Sequence, residues 1–434
     1  MIKIACISLG CEKNLVDSEV ILGFFKNNDF EITDNLDEAD AILVNTCGFI
    51  TSAKEEAINT IYEVLEYKDK GAKIIVTGCL VQRYKDELEK GIPGVDLWIP
   101  IRDYPNMGKL IASLFNKKEI ASCNLSIHDR VISTPKHLAY VKISDGCNNR
   151  CNYCAIPLIR GDYVSRDIDD IILEVKYLVK TNRKEICLIS QDLTRYGIDL
   201  KNVSLVKLLK EICKIEGDFK VRMLYLYPDE ITDELIDFVS SSDKVMSYYD
   251  IPIQHASNKM LKWMNRRGDK EFIRSLVNKI RSKDKDAIIR TTIIVGFPHE
   301  TDKDFRELLD FVREVKFDHL GAFTYSKEEG TKGFSMNHQV SKKIAQQRYD
   351  ELMELQKYIS LNQNALHIDK TYKTVIEYYD EDSDTYYGRN YMYAPDDIDG
   401  SVIIKSDKKL EISSIYDCTI TDADFYDLYG KIEK

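Results

Sequence analysis

Apolar residues come in short runs near the start of the chain. Residues 2–8, 41–45 and 73–77 are each largely apolar at the centre, as in strands buried on both faces of a parallel sheet. Between them, residues 16–25 and 53–67 carry apolar side chains at helical spacing. A strand–helix repeat of about 30 residues predicts a parallel α/β sheet with right-handed crossovers across residues 1–120. Residues 121–136 are polar and aperiodic, which predicts a linker.

The alternation resumes over 137–367 with longer spacing. Candidate strands at 139–144, 185–190, 221–227, 247–252, 288–295 and 319–325 are separated by helical stretches such as 167–180 and 302–315. Six consecutive β-α units fit a partial parallel barrel better than two small sheets. A long helix over 341–364 closes the region. In 368–434 the pattern changes to short β-branched or aromatic runs, at 372–379, 385–391, 401–404 and 411–419, which predict a small β-barrel. The fold class is therefore α/β, with a small β-barrel at the end.

The 434 residues have 44% hydrophobic and 31% charged side chains, an ordinary globular balance. The first residues lack a basic stretch followed by a long apolar core, so no secretory signal is expected. No uncharged apolar run reaches about 18 residues, so no membrane span is expected and the protein is placed in the cytoplasm. Eleven cysteines are many for a reducing compartment, where metal binding or catalysis explains them better than disulfides.

Cys147, Cys151 and Cys154 form a CxxxCxxC immediately after the first strand of the central region. Three thiolates this close can hold one [4Fe–4S] cube and leave its fourth iron open to a chelating small molecule, as S-adenosylmethionine (SAM) would be through its amino and carboxylate groups. A zinc knuckle is the plainer alternative, but zinc favours four ligands in paired CxxC spacing, and no fourth Cys or His follows nearby. Cys11, Cys47 and Cys79 are farther apart, 36 and 32 residues, yet each lies just past the end of a predicted strand. In an open parallel sheet those ends face one crevice, so the three can converge on a second cluster. Taken singly, each could equally be a small buried apolar residue. Cys6 and Cys187 lie within strands and read as core; Cys123, Cys213 and Cys418 receive no role.

Barrel chemistry gathers at the C-terminal ends of strands. The polar candidates there are Gln191, Asp192, His255, Tyr325 and Ser326, together with Arg290 and the turn at Gly296. Gly296 would let backbone approach an adenosyl group. Arg290 could pair with the SAM carboxylate or make a structural ion pair. Tyr153 could cover the cluster, touch the adenine, or simply pack, and the alternative for His255 is a satisfied polar residue lining the barrel.

The combination SLGC, NTCGF, TGC, DGCNNRCNYC and SRD resembles the radical SAM methylthiotransferases over essentially the whole chain. The resemblance implies an N-terminal methylthiotransferase domain, a radical SAM barrel and a C-terminal TRAM barrel. It implies SAM and two [4Fe–4S] clusters, with Cys11, Cys47 and Cys79 on the auxiliary one and Cys147, Cys151 and Cys154 on the radical one. It also implies an electron donor, and the insertion of a methylthio group at an unactivated C–H. One branch of the family modifies adenosine in tRNA; the other modifies the β-carbon of an aspartate in small-subunit ribosomal protein S12. The segments CEKNLVDSE, IRGDYVSR, YDIPIQHAS, GRNYMYAPDDIDG and TDADFYDLYG resemble the second branch.

Charge argues the same way. Of the net −11, residues 368–434 carry −8, with 16 acidic and 8 basic side chains. Such a tail would repel a tRNA backbone and attract a basic ribosomal protein, so no tRNA partner is expected. Asp396, Asp397, Asp399, Asp422, Asp424 and Asp427 are read as a docking surface, the plainer alternative being a solvated face. Two other readings compete: a non-catalytic zinc-binding RNA module, and a radical enzyme that inserts no sulfur.

Overall fold

The computed structural model describes residues 1–117 and 125–432. Cys123 and part of the expected linker lie outside the described residues. The chain divides into two compact units, one of Met1–Ser133, Tyr140–Val164 and Ser326–Phe334, the other of Thr134–Ala139, Ser165–Tyr325 and Ser335–Lys434.

The first unit is built on a parallel sheet of β1 (Ile2–Ser8), β2 (Phe30–Ile32), β3 (Ala41–Thr46), β4 (Lys73–Gly78) and β5 (Leu97–Pro100), in the order β2-β1-β3-β4-β5. Helices α1 (Glu12–Lys26), α2 (Thr51–Leu65), α3 (Cys79–Gly91) and α4 (Met107–Leu114) cover both faces. Alternation along the strands divides the core. Ile42, Val44, Ile74 and Val76 pack with Ala57 and Ile61 of α2 and Leu80 of α3, while Leu43 and Ile75 pack with Phe24 and Phe25 of α1 and Met107 of α4. In this doubly wound arrangement the strand order reverses between β1 and β3, the place where such sheets open a crevice.

In the second unit, parallel strands Glu185–Ile189 and Lys220–Met223 pair, as do Tyr248–Asp250, Ile288–Val295 and His319–Thr324. Helices alternate with them, among them Ile168–Lys180, Leu205–Cys213 and Asp302–Val315. The strand expected over 221–227 stops at Met223, because Tyr225 turns left-handed (φ 66°) and donates its N–H to the Asp250 carboxylate at 2.9 Å. After the helix Lys342–Ala365, five strands close a barrel: Thr371–Asp380, Thr385–Arg389, Val402–Ile404, Leu428–Ile432 and Ile415–Ala423, in that spatial order. The strand expected at 411–419 begins at Ile415, and Leu428–Ile432 was not expected.

Two buried ion-pair groups hold this second unit together. Glu185 accepts from Arg222 at 2.6 Å and Arg389 at 2.7 Å, and Arg389 also reaches Glu377 at 2.9 Å. Arg290 donates to Asp250 and to Asp399, each at 3.0 Å. Each group joins the α/β strands to the terminal barrel, so the small barrel is anchored by charge within the unit.

Candidate metal centre

The sheet register brings the three N-terminal cysteine turns to one edge. Ser8 pairs with Asn45, and Thr46 with Gly78, so β1, β3 and β4 end side by side. Cys11 caps α1, Cys47 follows β3, and Cys79 opens α3. The turns touch closely. A Cβ on Gly10 would stand 2.7 Å from Cys47 Cβ, and one on Gly48 would stand 2.7 Å from the Leu80 amide nitrogen. Only glycine permits those approaches. Asn14, on the first turn of α1, ties the edge together by donating to Leu9 O at 2.7 Å and Asn45 O at 3.3 Å.

Burial pushes the Cys47 thiol up to about 12, with the neighbouring Cys79 and Cys11 thiols adding to the effect. Burial also raises Cys79, against the lowering influence of Arg160. Such thiols keep their protons until a metal displaces them. Two helix N-termini with their positive dipole ends suit the resulting thiolates.

Cys147, Cys151 and Cys154 lie in the same unit, on a tight loop. Cys147 N–H donates to Gly161 O at 3.2 Å, Cys154 N–H to Cys151 O at 3.1 Å, and Ile156 N–H to Cys154 Sγ at 3.5 Å. Gly333 N–H pins the loop through Asn152 O at 2.7 Å. The short helix Ile156–Arg160 follows, and Cys79 packs against Ala155 and Ile159. Cys79 of the first triad thus touches the segment that follows the second.

Each triad supplies soft thiolates and no carboxylate, the donor set that iron–sulfur cubes take. All six cysteines are free of disulfides. Among the described residues no three His, Cys, Asp or Glu side chains converge as ligands of a single ion.

The expected SAM contacts fare unevenly. Tyr153 is half-buried beside Cys154, and Gln191 is half-buried just past Glu185–Ile189. Arg290 makes the second of its two expected pairings. It lies near the start of Ile288–Val295, and Asp250 and Asp399 take its guanidinium, which is the structural ion pair. Gly296 lies against the long helix. Its missing side chain makes room for the long helix, since a Cβ there would stand 2.5 Å from Ala345 Cβ. Asp192 is fully buried and accepts from Thr194 at 2.6 Å. His255 Nδ1 accepts from the N–H groups of Ala256 and Ser257, each at 2.9 Å, so it closes a turn inside the barrel. Tyr325 stands edge-on to Phe297, and Ser326 donates to Glu328 at 2.7 Å.

Three family models match: the uncharacterized protein family UPF0004 over residues 3–100, the radical SAM superfamily over 141–312, and the TRAM domain over 368–432. Full-length relatives are more specific. Ribosomal protein uS12 methylthiotransferase RimO of Acetivibrio thermocellus is 47% identical over 445 residues, 99% of this chain and 98% of that one. RimO of Alkaliphilus oremlandii is 47% identical and that of Clostridioides difficile 46%, each covering 98% or more of both chains. The chain belongs to the RimO family of methylthiotransferases. Among solved structures, the radical SAM methyltransferase TsrM from Kitasatospora setae covers 76% of each chain at TM-score 0.58, and the cobalamin-dependent SAM radical enzyme OxsB covers 83% of this chain and 56% of that chain at 0.53. At 12% and 14% identity these two share the fold.

The family bears out the expectation of a radical SAM methylthiotransferase with an α/β body and a terminal TRAM barrel. Other polar residues of the first unit escaped the sequence reading. Arg83 donates to Gly48 O at 2.9 Å, beside Cys47, and pairs with buried Glu328 at 2.8 Å; Lys54 reaches the same carboxylate at 2.8 Å. Arg160 donates to Cys79 Sγ at 3.4 Å. The segment IRGDYVSR, read only as a likeness, was the one signal that pointed toward Arg160.

Proposed function

We propose that this chain places a methylthio group on the β-carbon of an aspartate in ribosomal protein uS12 by radical SAM chemistry. The acceptor follows the family to which the chain belongs. The observation that carries the chemistry is the contact of Cys79 with Ala155 and Ile159, which sets one cysteine triad against the segment following the other. Cys147, Cys151 and Cys154 would hold the cluster that, with SAM, supplies the radical chemistry, and Cys11, Cys47 and Cys79 would hold the auxiliary cluster at which sulfur is methylated for transfer.

The chain's own residues bind and orient. Gly10 and Gly48 let the auxiliary turns close, and Arg83 with Glu328 holds the Cys47 turn in place. Tyr153 and Gln191 stand as the candidate SAM contacts, each for its position beside a cluster cysteine or a strand end. The reaction takes place in the cytoplasm and draws its electron from an electron donor. The acidic terminal barrel receives the basic acceptor. No helix of the described residues is long and apolar enough to cross a membrane.

Anaerobic reconstitution followed by incubation with uS12, and separately with tRNA, tests the reading. A methylthio mass gain on an aspartate of uS12 is expected. Gain on tRNA alone, or uptake of a single cluster, would overturn it.

A further inference from the structure

Arg160 ends the short helix that follows the CxxxCxxC loop, and its side chain is 3% exposed. One terminal nitrogen donates to Cys79 Sγ at 3.4 Å and to Asn14 Oδ1 at 3.3 Å. The other donates to Asp17 at 2.5 Å and Asp145 at 3.3 Å. Lys142 pairs with the same two carboxylates. The guanidinium is therefore held from several sides, with one N–H aimed at a sulfur.

Asn14 explains the aim. Its amide nitrogen is committed to the carbonyls of Leu9 and Asn45 at the strand ends, which leaves its oxygen turned toward Arg160. A buried cation fixed this firmly cannot rotate away from Cys79 without losing two carboxylates and an amide.

We propose that Arg160 is a positioning and tuning residue of the auxiliary cluster, its N–H···S bond to Cys79 raising that cluster's reduction potential. This rests on the functional reading above, in which Cys79 is a cluster ligand. Hydrogen bonds to ligating sulfur and nearby positive charge stabilise the reduced, more negative state of an iron–sulfur cluster. Arg160 supplies both. Its place six residues after Cys154 also fixes the radical-cluster loop to the auxiliary site through one side chain.

The test uses the full chain with Cys147, Cys151 and Cys154 changed to Ala, so that a single auxiliary cube is present, and follows its reduction by EPR during a potentiometric titration. Arg160→Gln should change the oxidised-to-reduced ratio at fixed potential about tenfold, a downward shift of about 59 mV for a one-electron couple. Arg160→Lys, which keeps the charge and loses the fork, should fall between. In the complementary chain, with Cys11, Cys47 and Cys79 changed to Ala, the radical cluster should keep its potential when Arg160 is replaced.

Should Arg160→Gln fail to fold, the protein retaining Arg160 and grown with ¹⁵N-arginine gives a second reading. Nitrogen hyperfine coupling to the reduced auxiliary cube supports the bond, and its absence overturns it. An Arg160→Gln chain with full iron and an unmoved potential also overturns the inference while leaving the function standing. A chain that takes up no auxiliary cube overturns both.

Discussion

Gly10 and Gly48 decide how closely the three cysteine turns meet. At Gly10 the backbone is left-handed (φ 89°) and an added methyl would press on Cys47; at Gly48 it would press on the start of α3. Gly10→Ala and Gly48→Ala should each spread the turns at a cost of about 1–3 kcal/mol. The expected result is loss of the auxiliary cube, with iron falling from about eight to about four per chain, while the radical cluster keeps its EPR signal. Eight irons in both variants would show that the turns have slack. The cysteines were legible because their chemistry and their place after strands are local facts. Arg83 and Glu328 were not, since 245 residues separate them and no periodicity marks either one. Arg290 stayed open between two pairings for a related reason: its carboxylate partner Asp399 is 109 residues away and was read as surface.

Elements were legible wherever burial imposed a pattern. All six residues of β3 are buried, and the run reads as apolar without its neighbours. The edge strands β2 and β5 and the barrel strand Leu428–Ile432 are too short to show a period, and pairing defines them. What joins elements is also hidden in the sequence. Burial alone would raise the Glu185 carboxyl, but Arg389 and Arg222 outweigh it and hold it at about 2, below the ordinary 4.5. Because the folded value is the lower one, the stabilisation is complete above pH 4.5 and is lost as pH falls toward 2. Melting temperature should therefore drop steeply across that window. Arg389→Met should lower stability at neutral pH by about 3–5 kcal/mol, leaving a shallower acid limb. An acid limb of equal slope in both proteins would sink this account, and thermal melts followed by circular dichroism at stepped pH decide it.

At the scale of the whole molecule, the uneven charge shapes what the chain meets. Asp399 is removed from the expected docking surface by burial with Arg290 and Tyr248. Asp396, Asp397, Asp422 and Asp424 remain exposed. Their two loops adjoin, for Ser401 N–H donates to Asp427 at 2.8 Å, and the Asp427 carboxyl is raised by burial and by neighbouring Asp424 and Asp397. Crowded acids of this kind gain from a cationic partner. Asn is the replacement that isolates charge. Asp396 and Asp397 are left-handed (φ 65° and 53°), a conformation Asn tolerates, and the Asp422 and Asp424 oxygens that accept from the following N–H groups persist in an amide. The fourfold Asn variant should keep its melting temperature and its iron. Its association rate with basic uS12 should fall about tenfold at low ionic strength, and the two proteins should converge as salt screens the surface. Stopped-flow association at several salt concentrations measures this. A fall that persists unchanged at high salt would mean that shape rather than charge had been altered, and equal rates throughout would remove the terminal barrel from acceptor docking.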